Sequence, residues 1–223
     1  MIPLKDEHPL HHFPLITVAF IALNVFVFLH QSSLAGEYEY AFILKYGTTP
    51  REITQNIDQE PFVTFPVRWT LVTAMFLHGG WLHLLGNMLY FWIFGKAVED
   101  SMGYLRFMIF YILCGTVAGV SHIATAPNSD IPMIGASGAI SGMLGAYLVL
   151  YPTGNIHTLV VLLGTLIRVL KVPAMFFLLP WIMLQMINAG ERLRIGHGGG
   201  IAWFAHIGGF FAGLILVNFF KKS

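Results

Sequence analysis

Long runs of apolar residues are the feature that most limits how this chain can fold. A helix needs about 20 apolar residues to cross the hydrocarbon core of a bilayer. Only 10% of the residues are charged, against about 25% in a soluble domain. We therefore expect an all-α polytopic membrane protein, a six-transmembrane-helix bundle forming one domain over residues 1–223, with spans at about 14–30, 81–97, 104–123, 136–151, 172–188 and 201–220.

Basic residues in the loops predict the orientation of these spans. With the N-terminus inside, seven lysines and arginines fall in inner segments and five in outer ones, as the positive-inside rule favours. Lys221 and Lys222, directly after the last span, are the clearest inner anchor. We expect cytoplasmic N- and C-termini, a long outer loop at residues 31–80, and a multi-pass protein of a prokaryotic inner membrane.

The segments between the spans carry further expectations. Residues 38–46 and 51–55 of the outer loop predict short helices. Residues 158–167 are apolar but too few to span, so we expect them at the interface or as a buried approach to the fifth helix. Pro180 predicts a kink or irregular packing in that helix. The glycine-rich residues 188–200 predict a mobile outer loop.

A glycine-rich run at residues 135–142 opens the fourth span and contains Ser137. Serine and glycine in a membrane helix often allow close packing with a neighbouring helix. A serine between small residues is also typical of a nucleophile, since its Oγ is left open to a substrate. The run alone leaves both interpretations open.

Polar residues at membrane depth are costly and usually functional, and three spans carry them. In the second span, His83 and Asn87 are four residues apart and so share one helix face. In the fourth span Ser137 and Ser141 do the same, and the sixth span carries His206. His78 is interpreted as a loop residue, with a place on the substrate path as the alternative. Three other histidines are interpreted as loop or interfacial residues: His122, His157 and His197.

The depth of these polar residues follows from counting along each helix. His83 lies 13 residues, and Ser137 and His206 each lie 15 residues, from the predicted inner boundary of their spans. At 1.5 Å per residue this is roughly 20–22 Å, so the three side chains share one layer in the outer half of the membrane. The fourth run is short, which predicts that its N-terminus lies below the outer surface.

Small residues predict which of these helices touch. They recur at every fourth position in the fourth and sixth spans: Gly138 and Gly142, and Ala205, Gly209 and Gly213. Such faces allow close backbone approach, which would bring His206 within hydrogen-bond reach of Ser137. A serine hydroxyl needs such a base, because it is a weak nucleophile alone.

No acidic residue within the spans offers a third member for this pair, and Asp130 lies in an outer loop. The sequence therefore predicts a Ser137–His206 dyad rather than a triad. His83, Asn87 and the backbone N–H of Ser137 are expected to donate hydrogen bonds to a developing oxyanion.

Three motifs carry a resemblance to a known family: Gly135-Ala136-Ser137-Gly138, His83-x-x-x-Asn87, and Ala205-His206-x-x-Gly209-x-x-x-Gly213. With these motifs in order on the second, fourth and sixth spans, the chain resembles the rhomboid intramembrane serine proteases. Trp69 matches the Trp-Arg motif of that family's first outer loop. The arginine position after it is Thr70 here, with Arg68 on the other side.

The resemblance implies that Ser137 is the nucleophile, His206 the general base, and His83 and Asn87 the oxyanion stabilisers. It implies single-span membrane proteins as substrates, a lipid bilayer as the surroundings, and a gating role for the fifth helix. No cofactor, metal ion or nucleic-acid partner is expected. Some members carry an aromatic residue where this chain has Ser141, so Ser141 itself or a water is expected to hold the histidine.

Other classes of membrane protein fit less well. The sequence lacks the His-Glu-x-x-His motif of a zinc site and the paired membrane aspartates of an aspartyl protease. It also lacks the intramembrane acids that are usual in a transporter. The alternative that stays open is a non-catalytic rhomboid-like protein that binds membrane clients. Such relatives typically lack the serine or the histidine, and this chain has both.

Overall fold

The structure of the chain is a computed structural model that describes residues 1–58, 65–162, 166–195 and 202–222. Most of these residues are helical. The elements in chain order are β1 (Ile2–Asp6), α1 (Leu15–Ser33), α2 (Glu37–Tyr46), α3 (Pro50–Gln55), α4 (Thr70–Thr73, between the 3₁₀ turns Val67–Trp69 and Ala74–Phe76), α5 (Trp81–Tyr90), a π-helical segment (Phe91–Gly95), α6 (Lys96–Met102), α7 (Tyr104–Thr125), α8 (Ser137–Leu150), β2 (Asn155–Leu162), β3 (Leu166–Pro173), α9 (Ala174–Ile195) and α10 (Trp203–Phe220).

Four of these helices are long and apolar enough to cross a membrane: α1, α7, α10 and residues 174–194 of α9. A further helical stretch is continuous from α5 through the π-helical segment into α6, because the backbone stays right-handed helical across both junctions. Helix α8 is shorter, at 14 residues, or about 21 Å. The short helices predicted in the outer loop are confirmed as α2 and α3.

A three-stranded antiparallel sheet makes the all-α prediction wrong. Strands β2 and β3 form a hairpin, and β1 pairs with β2, with Lys5 opposite His157. Residues 158–167 were expected as an interfacial segment or an approach to the fifth helix. Residues 158–162 belong to β2 and residues 166–167 to β3, while 163–165 lie outside the described residues. The length of an apolar run cannot distinguish a strand from a buried helix, but β-branched residues such as Ile156 and Val169 favour strands.

The predicted loop at residues 188–200 is also wrong over its first part. Helix α9 continues to Ile195 and passes through Pro180, its seventh residue. Glu191, Arg192 and Leu193 are good helix formers, and they outweigh the single Gly190 within the last turns. Residues 196–200, including His197, lie outside the described residues.

Helices α8 and α10 lie against each other at the centre of the molecule. A Cβ atom on Gly209 would collide with the carbonyl oxygen of Gly138, and one on Gly213 would collide with that of Gly142. The backbones therefore approach as closely as the small-residue pattern predicts. This contact positions the first turn of α8 beside the first turn of α10, where the candidate site lies.

The opposite end of the bundle is organised by charged residues. Lys96 at the start of α6 pairs with Asp6 of β1 at 2.7 Å, and the Asp6 side chain is fully buried. The carboxylate of Glu99 accepts hydrogen bonds from the backbone of Ile16 and from both the backbone and hydroxyl of Thr17. These contacts fasten β1 and the start of α1 to α6. We call this region, with the sheet β1–β3, the sheet end.

Candidate active site

Ser137 and His206 are joined by a hydrogen bond. The Oγ of Ser137 lies 2.9 Å from Nε2 of His206. Ser137 is the first residue of α8, and the preceding turn depends on Gly135, whose φ of 120° favours glycine. The N–H of Gly135 donates to the carbonyl of Ala74 at 2.8 Å, which fastens this turn to the segment before α5.

The second ring nitrogen of His206 is also bound. Its Nδ1 lies 2.8 Å from Oε1 of Gln185, a buried residue of α9. An amide oxygen can only accept a hydrogen bond, so the ring proton resides on Nδ1. The lone pair of Nε2 is then free to accept the hydroxyl proton of Ser137.

His83 and Asn87 present two donors to the same region. The backbone N–H of Gly79 donates to Nδ1 of His83 at 3.2 Å, so the neutral ring carries its proton on Nε2. A Cβ atom on Gly135 would lie 2.8 Å from that Nε2 and 3.8 Å from Nδ2 of Asn87. Within the described part of the chain, Nδ2 of Asn87 is buried without a hydrogen-bond partner. An unpaired buried donor is rare and is typical of a functional site.

All four predicted site residues line one cavity of about 680 Å³. Its walls come from α5, α7, α8, α9 and α10, and they are largely apolar. A cavity of this size can hold several residues of an extended peptide, and its few polar groups converge near Ser137.

The ring of His206 packs between aromatic side chains. Trp181 of α9 lies 6.1 Å from it, centroid to centroid, and Trp203 lies 6.2 Å away at 88°. The hydroxyl of Ser141 instead donates to the carbonyl of Ser137 at 2.7 Å, a common bond within a helix. The expectation that Ser141 holds the histidine is therefore wrong, since Gln185 contacts its Nδ1 and Trp181 packs beside its ring.

Two polar residues of the site were not predicted from the sequence: one contacts His206, and the other lines the cavity. Gln185 is a polar residue inside an apolar run, and the cost of such a residue in a membrane was a signal that could have found it. His122 was interpreted as interfacial or in a loop, but it lies within α7, is 7% exposed and lines the cavity. Its burial depends on how α7 packs, which the sequence pattern does not reveal.

His78 and Trp69 are not among the described residues that line the cavity. His78 precedes α5 and is fully buried, and its carbonyl accepts a hydrogen bond from the Gln31 amide at 2.7 Å. Its ring lies 5.0 Å from that of His83. Trp69 is largely exposed, and the hydroxyl of Thr70 bonds to the carbonyl of Val67 at 2.6 Å. Thr70 thus stabilises its own turn.

Among the described residues, one group has the spacing of a metal site: His8, His11 and Asp100. It belongs to the sheet end, about 25 Å along the α5–α6 helix from His83. The Asp100 carboxylate already accepts hydrogen bonds from the backbone N–H groups and rings of His11 and His12. These hydrogen bonds fasten the N-terminal segment to α6, and this structural role explains why the three residues lie together.

The fold and this site define a membrane protein with a serine–histidine pair in a cavity between its helices. A family model for the rhomboid domain matches residues 67–223, and the chain belongs to the rhomboid family. Together with the four membrane-length helices, this makes it an integral multi-pass membrane protein.

Three relatives illustrate the similarity. Rhomboid protease GluP of Bacillus subtilis is 30% identical over 209 residues, which are 91% of this chain and 35% of that protein. RHOMBOID-like protein 5 of Arabidopsis thaliana is 31% identical over 149 residues, 67% of this chain and 43% of the relative. Putative rhomboid protease YdcA of Bacillus subtilis is 39% identical over 80 residues, 36% of this chain and 40% of the relative. The chain thus spans less than half the length of each.

Proposed function

We propose that this protein is an intramembrane serine endopeptidase with a Ser137–His206 dyad. Its substrates are single-span membrane proteins, cut at peptide bonds in or near their transmembrane helices. The observation that carries this proposal is the 2.9 Å contact between Oγ of Ser137 and Nε2 of His206. The resemblance of the three motifs to the rhomboid proteases and the name of the GluP relative support it.

The chemistry follows from the protonation of each group. Nε2 of His206 accepts the hydroxyl proton as Oγ of Ser137 attacks the carbonyl carbon of the scissile bond. The protonated ring then gives that proton to the leaving amine, so the C–N bond breaks and an acyl-serine remains. A water, deprotonated by the same Nε2, hydrolyses the ester and restores the free hydroxyl.

The negative charge of each tetrahedral intermediate needs nearby donors. The N–H of His83 Nε2 and the amide of Asn87 supply two of them. The backbone N–H of Ser137, at the N-terminus of α8, supplies a third. The Nδ2 of Asn87 supports this role, because no protein acceptor among the described residues competes for it with the charge that forms.

The membrane setting supports this substrate class. The cavity lies between membrane-length helices, which favours a substrate that is itself in the bilayer. We propose six spans, with the α5–α6 helix and α8 added to the four long helices, and with both ends of the chain in the cytoplasm of a prokaryotic cell. The position of Lys222 at the sheet end, where its N–H donates to the carbonyl of Ser101, supports an even number of spans.

The test is cleavage of a single-span reporter by the purified protein in liposomes. Ser137→Ala and His206→Ala should each reduce the rate by about 10⁴-fold or more. Ser33→Ala, which removes an exposed hydroxyl at the end of α1, is the matched control and should keep the wild-type rate. A fluorophosphonate probe should label the wild-type protein and fail to label Ser137→Ala.

Retained cleavage by Ser137→Ala would contradict the proposal. If the folded wild-type protein neither cleaves reporters nor reacts with the probe but still binds single-span proteins, the non-catalytic alternative is correct.

A further inference from the structure

We propose that Gln185 is a positioning residue that holds the His206 imidazole in the tautomer and orientation required for proton transfer from Ser137. This inference rests on the proposed protease function. It starts from the 2.8 Å contact between Oε1 of Gln185 and Nδ1 of His206, on the ring edge opposite Ser137. Gln185 is 5% exposed, so water does not compete freely for this bond.

The amide performs the task that a carboxylate performs in a serine protease triad. By accepting the Nδ1 proton, it leaves the Nε2 lone pair directed at Oγ of Ser137. When the ring becomes protonated, the same amide oxygen still accepts from Nδ1 and stabilises the positive charge through its dipole.

A neutral amide suits this environment better than an acid. None of the described residues lining the cavity is Asp or Glu. Burying a carboxylate between membrane helices would require compensation for its lost hydration, whereas an amide carries no net charge. Gln185 thus adds a third polar residue beside the predicted dyad without adding a charged group.

The position of Gln185 connects the base to a third helix. Ser137 lies on α8 and His206 on α10, whereas Gln185 lies on α9. Trp181, one turn before Gln185 on the same face of α9, packs at 6.1 Å from the His206 ring. Helix α9 therefore supports both the edge and the face of the imidazole. A displacement of α9 away from α10 would break the hydrogen bond and release the ring.

The experiment compares two replacements of similar length in the full chain in liposomes. Gln185→Met keeps the volume and removes the acceptor, and Gln185→Glu keeps an acceptor oxygen. Met186→Leu, at an exposed neighbour on α9, is the matched control. Cleavage of the reporter gives kcat and KM, the fluorophosphonate probe gives the rate at which Ser137 is acylated, and thermal unfolding reports stability.

Gln185→Met should lower kcat and the labelling rate by about 10- to 100-fold, by analogy with outer-shell partners of histidine ligands. KM should change by less than about twofold, because substrate binding does not involve this amide. Gln185→Glu should retain more of the wild-type rate than Gln185→Met, because its carboxyl oxygen still accepts from Nδ1 despite the cost of burying an acid. Met186→Leu should match the wild type. In ¹⁵N spectra of histidine-labelled protein, the signals lost in His206→Ala should show a protonated Nδ1 and an unprotonated Nε2.

Three results would overturn the inference. The first is an unchanged kcat in Gln185→Met, and the second is an equal loss in Gln185→Met and Gln185→Glu, which would indicate packing alone. The third is an Nε2-protonated ring in the resting protein. The proposed function has its own control in these assays. If Ser137→Ala is inactive while Gln185→Met is not impaired, the protease assignment stands and the role of Gln185 is wrong.

Discussion

Gly209 of α10 lies directly on the carbonyl oxygen of Gly138 of α8, so no side chain fits between the two helices there. This contact lies one turn beyond His206 and beside Ser137. It therefore helps to set the separation across which the proton is transferred. Helix packing and chemistry at this site depend on the same pair of glycines.

Gly209→Ala should consequently impair both stability and cleavage. The added methyl group would press on backbone rather than on a flexible side chain, at a cost of about 1–3 kcal/mol. We expect a lower thermal unfolding temperature and a reduced rate of probe labelling at Ser137. Gly190→Ala is the matched control, because a Cβ atom at that position of α9 meets nothing within 4 Å. A Gly209→Ala protein as stable and active as Gly190→Ala would contradict the close contact.

Asn87→Ala should lower kcat by about 10²–10³-fold, the usual effect of removing one oxyanion donor. KM should change little, because the donor acts on charge that develops only after substrate binding. Steady-state cleavage of the single-span reporter measures both quantities. Asn155→Ala, at the sheet end, serves as the control. An unaltered kcat in Asn87→Ala would exclude the amide from the oxyanion site.

Glu7 should make stability depend on pH in the acidic range. Hydrogen bonds from Lys171, Asn155 and His157 lower the pKa of this carboxyl from 4.5 to about 2. A lowered folded-state pKa stabilises the protein above the unfolded-state value, and this contribution is lost as pH falls from about 4.5 to about 2.

Thermal unfolding measured between pH 5 and pH 2 tests this expectation. Glu7→Gln should lower the unfolding temperature at pH 5 and flatten its decline toward pH 2 relative to wild type. Glu191→Gln, at an exposed carboxylate of α9, controls for general effects of acid. Parallel curves for wild type and Glu7→Gln would contradict the contribution of Glu7.

Lys96→Met should destabilise the sheet end strongly. It leaves the buried Asp6 carboxylate, 2.7 Å from the Lys96 amine, without its cation. Breaking a buried pair from one side costs about 3–5 kcal/mol. The double variant Asp6→Asn with Lys96→Met should recover much of this loss, because no charge then remains buried. Chemical denaturation of the four proteins in this cycle measures the coupling. Additive effects in the double variant would show that the pair is not coupled.

Some features of the site could be predicted because they depend on spacing within one helix. His83 and Asn87, four residues apart, share a face in any helix. The small residues that recur at every fourth position in α8 and α10 favour close packing of these helices. The common depth of the polar residues could be estimated from the rise per residue of an α-helix. These features identified the four predicted site residues, all of which line the cavity.

Other features could not be predicted because they join distant segments. Strand β1 pairs with β2 across about 150 residues of chain, and neither segment alone distinguishes a strand from an interfacial run. Ser141 illustrates the same limit on a smaller scale. Its hydroxyl had a partner on its own helix, and only the structure decides between that carbonyl and the histidine.

The sequence by itself determined that the chain enters a membrane and which of its helices carry polar groups, because apolar length and helical period are local properties. The tertiary structure alone decided that α9 brings Gln185 to His206, a residue 21 positions away on another helix. Helices in a bilayer are held by packing and a few hydrogen bonds rather than by the hydrophobic effect between them. Their mutual rotation is therefore set by the whole assembly, and with it the partner that each buried polar group finds.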